Sequence, residues 1–246
     1  MPFTYPYPRP AVSCDVVVFT MRADDLAVLL IQRKGEPFKG QWALPGGFVN
    51  ENESLDRAAA RELSEETGLT GARLEQLAAF GDPGRDPRGH TVTIAYVTFL
   101  VAEAKITPGD DAAAAEWHAF RKLSLGVRPI SGTARRSARR VGRARKTSRS
   151  GATDIVPVAF DHGKIIARAH RRLLQCLDDP LRDRAFDLLP SRFTLAELHR
   201  FYEVVSGRTL PQRMFRKRLL DYELVLPATS KPTAKPADQL YRWNRR

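Results

Sequence analysis

The sequence predicts an α/β fold followed by a smaller, mainly helical unit, and three observations lead to that reading. The first 120 residues hold short runs rich in Val, Ile and Leu separated by polar turns, the pattern of strands. One long helix with start and stop signals interrupts them. Beyond Pro180 the strand-like runs give way to two short capped helices, the second strongly basic. At 246 residues and 43% hydrophobic, the chain can bury one good core and a small second domain.

The strands come in order. Ala11–Thr20 and Ala27–Arg33 are apolar runs joined by Met21-Arg-Ala-Asp-Asp25, which suits a hairpin. Gly35–Gly47 reads as a loop ending in Trp42-Ala-Leu-Pro-Gly-Gly47. A helix follows, Leu74–Phe80 and Thr91–Ala102 resume the strands, and a last strand lies near Ala115–Phe120. Between Phe80 and His90, Gly and Pro residues impose an irregular loop. Its Arg85 and Arg88 offer forked donors to a phosphate or carboxylate, unless the segment is an ordinary polar turn.

The helix is the informative element. Ser54 can cap its start, three alanines favour it, and Gly68 suits a left-handed stop. At 3.6 residues per turn, Glu62, Glu65 and Glu66 fall within an arc of about 100° that also holds Leu55, Ala58 and Ala59. Arg57, Ala60 and Ser64 point the opposite way. The face that should be buried therefore ends in three carboxylates, which is costly unless a cation neutralises them. A hard divalent ion with oxygen ligands does so, Mg²⁺ being the usual one and Mn²⁺ the alternative.

The charge is local. Of 40 Lys and Arg residues, eleven lie between Trp117 and Thr153, where there is no Asp or Glu; elsewhere 29 basic residues face 28 acidic ones. The run Arg135–Arg149 reads as a solvated, disordered insert within 121–153 that adds sequence-independent attraction to phosphate backbone. After it, Asp161–Leu177 is an amphipathic helix with Ile165, Ile166, Ala169 and Leu173 on one side. Cys14 and Cys176 are far apart, and Cys14 sits in an apolar strand as packing. No 18-residue apolar run and no signal-peptide pattern occur, so the chain is expected in the cytoplasm with no membrane partner.

In the second unit, Thr194 and Glu197 form a capping box, with Phe193 and Leu198 as a staple. Leu198, Phe201, Tyr202 and Val205 repeat at helical spacing until Gly207. A second box, Thr209 with Gln212, starts another helix after a three-residue turn. Its apolar side is Leu210, Met214 and Leu219 or Leu220, and Arg213, Arg216, Lys217 and Arg218 fill the rest. This reads as a helix-turn-helix, with Leu224–Leu226 and Gln239–Trp243 as the hairpin of a wing. A purely structural helical pair has the same spacing.

The stretch from Gly47 through Glu53, Arg61, Glu62, Glu65, Glu66 and Gly68 to Leu69 resembles the Nudix box, with every fixed position filled. The resemblance implies an α/β/α sandwich that holds Mg²⁺ against a diphosphate. It implies Glu62, Glu65 and Glu66 as metal ligands within the catalytic set. Glu53 and Arg61 would brace the loop, and Gly46, Gly47 and Phe48 would lie against substrate. Apart from the segment Arg121 to Thr153, the chain is similar to one branch of that family. The matching pieces include Tyr5–Pro10, Trp42–Phe48, Phe80–Gly89, Phe160-Asp-His162, Phe193–Leu198 and Leu240–Trp243. That branch joins an ADP-ribose-binding Nudix domain (here 1–178) to a C-terminal winged helix (here 179–246). It contains transcriptional regulators of NAD metabolism and ADP-ribose pyrophosphatases. The resemblance implies a homodimer that binds double-stranded DNA through Gln212, Arg213, Arg216 and Lys217 and leaves it on binding ADP-ribose at Arg85 and Arg88. Hydrolysis of ADP-ribose is expected because the box is complete. The alternative is a pyrophosphatase with no regulatory role.

Overall fold

Strand β1 (Ala11–Arg22) is buried without a break from Ser13 to Thr20, which puts it in the middle of a sheet covered on both faces. The computed structural model describes residues 6–22, 25–100, 105–109, 112–126, 155–178, 191–228 and 239–244. Its first strands are β1, β2 (Asp25–Arg33), β3 (Trp42–Ala43) and β4 (Gly46–Phe48), followed by helix α1 (Leu55–Thr67). Then come β5 (Glu75–Phe80), β6 (Thr91–Leu100), β7 (Ala112–Ala119), a 3₁₀ turn at Phe120–Lys122 and helix α2 (His162–Asp178). The sheet runs β3-β2-β1-β6-β5, with β4 added to β1 and β7 to β2; β1 and β6 are parallel. The expected loop 35–47 thus contains β3 and leads straight into β4, because Trp42 and Ala43 find partners on β2.

The alternation of side chains along β1 divides the core. Cys14, Val16 and Val18 pack in one cluster with Ala58, Ala59 and Leu63 of α1. Val17 and Phe19 pack in the other with Ile165, Ile166, Ala169 and Leu173 of α2. Two helical layers therefore sandwich the sheet, and each fully buried Val, Leu or Ile adds about 1.5–3 kcal/mol to holding them there.

The second cluster continues into the C-terminal unit, joining α2 to Phe193, Leu198, Phe201 and Val205. Helix α3 (Leu195–Ser206) carries the expected box, Thr194 with Glu197, and stops at left-handed Gly207. Helix α4 (Gln212–Asp221) follows, and β8 (Phe193–Thr194), β10 (Leu240–Trp243) and β9 (Val225–Pro227) form a three-stranded antiparallel sheet. A hydrogen bond also links the units: His170 Nε2 donates to the Val205 carbonyl at 2.8 Å.

Three expectations about α4 are corrected. Its N-cap is Pro211 with no side-chain cap, so Thr209 and Gln212 form no box and the turn runs from Gly207 to Pro211. Leu210 N–H instead donates to Glu203 at 2.8 Å. Met214 is 65% exposed, and Phe215 and Leu219 face inward. A helix that begins at Gln212 puts the i, i+4 pair Phe215 and Leu219 on the seam and turns Met214 about 100° away. Of the insert 121–153 expected to be disordered, 121–126 carry the end of the 3₁₀ turn and the bridge from Leu123 to Val156, while 127–153 fall outside the described residues, as does Cys176's side chain.

Candidate functional site

Strand β4 and the start of α1 build the site. Ser54 caps α1 by accepting from Arg57 N–H, and Tyr96 Oη donates to Asp56 Oδ1 at 2.6 Å, which pins the first turn to β6. The helix ends at Gly68, φ 73°. Ala58, Ala59, Leu63 and Thr67 are buried, so the helix can turn only one face toward β4. Two glycines allow the approach. A Cβ on Gly46 would strike the Cys14 carbonyl, and one on Gly47 would lie 2.5 Å from Glu62 Oε1.

Arg61 organises the carboxylates. Its Nε and Nη2 bind Glu53 at 2.8 and 2.9 Å, and Nη2 also donates to the Phe48 carbonyl at 3.1 Å. Its Nη1 reaches Glu62 at 2.7 Å and Glu65 at 3.0 Å. Glu53 takes a further bond from Asn50 N–H, and these donors, Arg61 first, hold its carboxyl down at about 2. Burial pushes the Glu62 carboxyl up. Glu66 is turned to the loop, accepting from Gly46 N–H at 2.8 Å. Glu62 has a side chain 13% exposed, but that of Glu65 is 58% exposed. Glu65 therefore stands at the rim and not on the inward face expected for it; the sheet covers only the positions around Ala58, Ala59 and Leu63.

The donor set suits a hard divalent cation, since all are carboxylate oxygens and two of them already meet at one cationic nitrogen. Among the described residues no three acidic, His or Cys side chains stand ready as a closed cage. Arg61 occupies Glu62 and Glu65, and an ion taken there would share them with it.

The loop after β5 divides its two arginines. Arg85, expected to meet the ligand, has a side chain only 4% exposed and closes on Asp161 through Nη2 at 2.7 Å and Nε at 3.2 Å. Asp15 of β1 lies 3.6 Å away. His162 completes this buried group. Its Nδ1 accepts from Leu44 N–H at 2.9 Å, so the ring proton sits on Nε2, 3.5 Å from Asp15 Oδ1. Arg88 is nearly half exposed and pairs through Nε and Nη2 with Asp86, whose carboxyl it holds below the usual range. The Arg88 guanidinium lies 5.0 Å from the Phe48 ring centre and 5.6 Å from that of Phe160.

The sequence reading assigns no role to Asp15, Asp86, Asp161, His162, Arg33, Phe38 or Phe160. Phe160-Asp-His162 is one of the pieces that match the family branch, but only the fold shows that Asp161 meets Arg85. In the C-terminal unit, Gln212, Arg213, Arg216 and Lys217 are all exposed on α4, with Arg213 and Lys217 on the side opposite Phe215, which packs on Tyr202 and His199 at 5.0 and 5.1 Å.

The NUDIX domain model matches residues 10–139, and the NrtR DNA-binding winged helix domain model matches 185–243. The chain is 32% identical over 243 residues to the ADPR responsive transcriptional repressor NtrR of Acinetobacter baylyi, covering 96% of this chain and 83% of that one. It is 40% identical over 117 residues to the ADP-ribose pyrophosphatase of Methanocaldococcus jannaschii, covering 48% of this chain and 66% of that one. The crystal structure of Shewanella oneidensis NrtR complexed with a 27mer DNA aligns with a TM-score of 0.65 at 28% identity, covering 94% of this chain and 93% of that one.

Proposed function

The chain belongs to the NUDIX family and carries an NrtR-type winged helix domain, and from that premise we propose that it is an ADP-ribose-responsive repressor of NAD-metabolism genes. The carrying observation is the outer face of α4. With Phe215 and Leu219 turned inward, Gln212, Arg213, Arg216 and Lys217 project to solvent together at the start of the second helix of a helix-turn-helix. Side chains there reach base edges in the major groove, where Arg pairs with guanine and Gln with adenine. A homodimer would set two such helices on one operator, in the cytoplasm.

The effector site is the box. Glu62, Glu65 and Glu66 would hold Mg²⁺, or Mn²⁺ in its place, and the ion would supply charge neutralisation of the diphosphate and an activated water. Glu53 fixes Arg61, which ties the Phe48 carbonyl to the helix and keeps the carboxylates gathered. The backbone of Gly46 and Gly47 gives phosphate close access, and Arg88 faces the ligand beside Phe48. Arg85 acts behind it, anchoring the loop on Asp161. The complete carboxylate set supports hydrolysis of ADP-ribose to AMP and ribose 5-phosphate.

The second reading is a pyrophosphatase whose winged helix has no regulatory role, favoured by the intact Glu53–Arg61–Glu62 network. One purified sample decides between them. It should be assayed for Mg²⁺-dependent AMP release and for a mobility shift of DNA from upstream of NAD-biosynthesis genes, with and without ADP-ribose. A shift reversed by ADP-ribose establishes the repressor; turnover with no DNA bound at any such site establishes the enzyme alone.

A further inference from the structure

Arg33, at the end of β2, is a half-buried guanidinium with no carboxylate partner in contact among the described residues. Its Nε donates to the Pro37 carbonyl at 2.8 Å, which leaves both Nη groups without a hydrogen bond to the described residues. Its Cζ lies 4.8 Å from the centre of the Phe160 ring, the ring that Arg88 approaches to 5.6 Å. Two cations thus share one aromatic ring. Asp86 makes its ion pair with Arg88. Glu66, Asp86 and Asp15 act on Arg33 through space, but burial and the Arg88 charge outweigh them and lower its proton affinity. The ring itself is held firmly: Phe160 stands edge-on to Phe38 at 4.7 Å, and both have left-handed backbones, φ 53° and 64°. Bulky residues adopt that conformation rarely, and it clusters where a site is built in advance of its ligand. Phe48 connects this group to the box, since its ring meets Arg88 while its carbonyl binds Arg61.

We propose that Arg33 is a ligand-binding residue, the second arm of a fork with Arg88 over Phe160 that takes the anionic diphosphate of the nucleotide-sugar ligand. Like charges brought together and partly desolvated are offset when an anion enters between them, and guanidinium groups meet phosphate oxygens in pairs. The inference rests on the ADP-ribose reading above and adds a contact that the box does not contain.

Calorimetry on the full chain with Mg²⁺ chelated, so that nothing is turned over, tests it with ADP-ribose as the probe. Arg33→Gln should weaken binding tenfold or more at low salt, Arg33→Lys should fall between, and the loss should shrink in high salt as the charge is screened. The thermal midpoint of the ligand-free Gln variant separates the alternatives. A merely structural Arg33, acting through Pro37, would lower that midpoint and leave the affinity of the folded protein unchanged. Arg33→Gln binding within twofold of wild type overturns the fork and leaves the effector reading standing. Wild type that binds no ADP-ribose, with Mg²⁺ or without, overturns the effector reading and the fork with it.

Discussion

Arg85 and Asp161 stand 76 residues apart in the chain and meet through two hydrogen bonds, Nη2 to Oδ1 at 2.7 Å and Nε to Oδ2 at 3.2 Å. Asp161 directly precedes α2, whose far half packs on α3 through His170 and the shared core. The pair therefore ties the loop that presents Arg88 to the helix that supports the DNA-binding unit. Both side chains are less than a tenth exposed. Removing one partner leaves a buried charge, so Asp161→Asn should destabilise the fold by about 3 kcal/mol. Asp15, 3.6 Å from Arg85, would recover part of that. A denaturant midpoint indistinguishable from wild type would show the pair to be dispensable.

Stability should also fall on mild acidification. His162 is buried, and burial lowers its proton affinity below the usual value of 6.5. Its Nδ1 is committed as an acceptor to Leu44 N–H, so a second proton would break that bond. The unfolded chain takes up a proton that the folded chain refuses. This contribution is fully present above about pH 6.5 and is lost as pH falls toward the folded value. His118 and His170, also lowered by burial, act in the same direction. Thermal midpoints measured across this range should drop toward acid, less steeply in His162→Gln. An equal slope in wild type and variant would assign the effect to the other histidines.

Any hydrolysis should pass through the box carboxylates. Glu65→Gln and Glu66→Gln keep size and helix propensity but remove charge, and each should cut Mg²⁺-dependent AMP release by about 10²-fold or more. Folding should survive, because Glu65 is largely exposed and its bond to Arg61 contributes about 0–1 kcal/mol. Wild-type turnover in both variants would remove them from the metal site.

Operator preference should reside in α4. Arg213→Ala with Arg216→Ala removes two exposed forked donors, each worth about 1–3 kcal/mol of base discrimination. The double variant should lose most of its preference for operator over random DNA and keep ADP-ribose binding, since neither residue packs in the Nudix unit. Normal operator shifts by that variant would leave the repressor reading without its readout.

Phe215→Ala separates folding from recognition in the same helix. Phe215 packs edge-on to Tyr202 and His199, and its loss should loosen α4 on α3 at a cost of about 2–3 kcal/mol. Limited proteolysis should then cut within the C-terminal unit while the Nudix unit stays whole. Resistance equal to wild type would mean that Leu219 alone holds the helix.

The features written in local sequence were legible without a structure. Ser54 and Gly68 bound α1 because capping and left-handed stops are short-range effects, and Thr194, Glu197 and Gly207 bound α3 in the same way. The box announced itself because its carboxylates lie three and four residues apart on one helix. What local spacing could not decide is how far each position ends up from solvent and which distant residue it meets. Glu65 shares an arc with Glu62 yet lies at the rim, because the sheet covers only part of that face. Met214 and Phe215 are equally apolar, and only contact with Tyr202 and His199 selects Phe215 for the seam. Arg85 and Arg88 look alike in one loop, but Asp161 buries the first and leaves the second facing Phe48 and Phe160. Arg33 carried no signal at all. That no carboxylate among the described residues makes an ion pair with it is a property of packing between β2 and the segment before α2, and only the tertiary fold creates it.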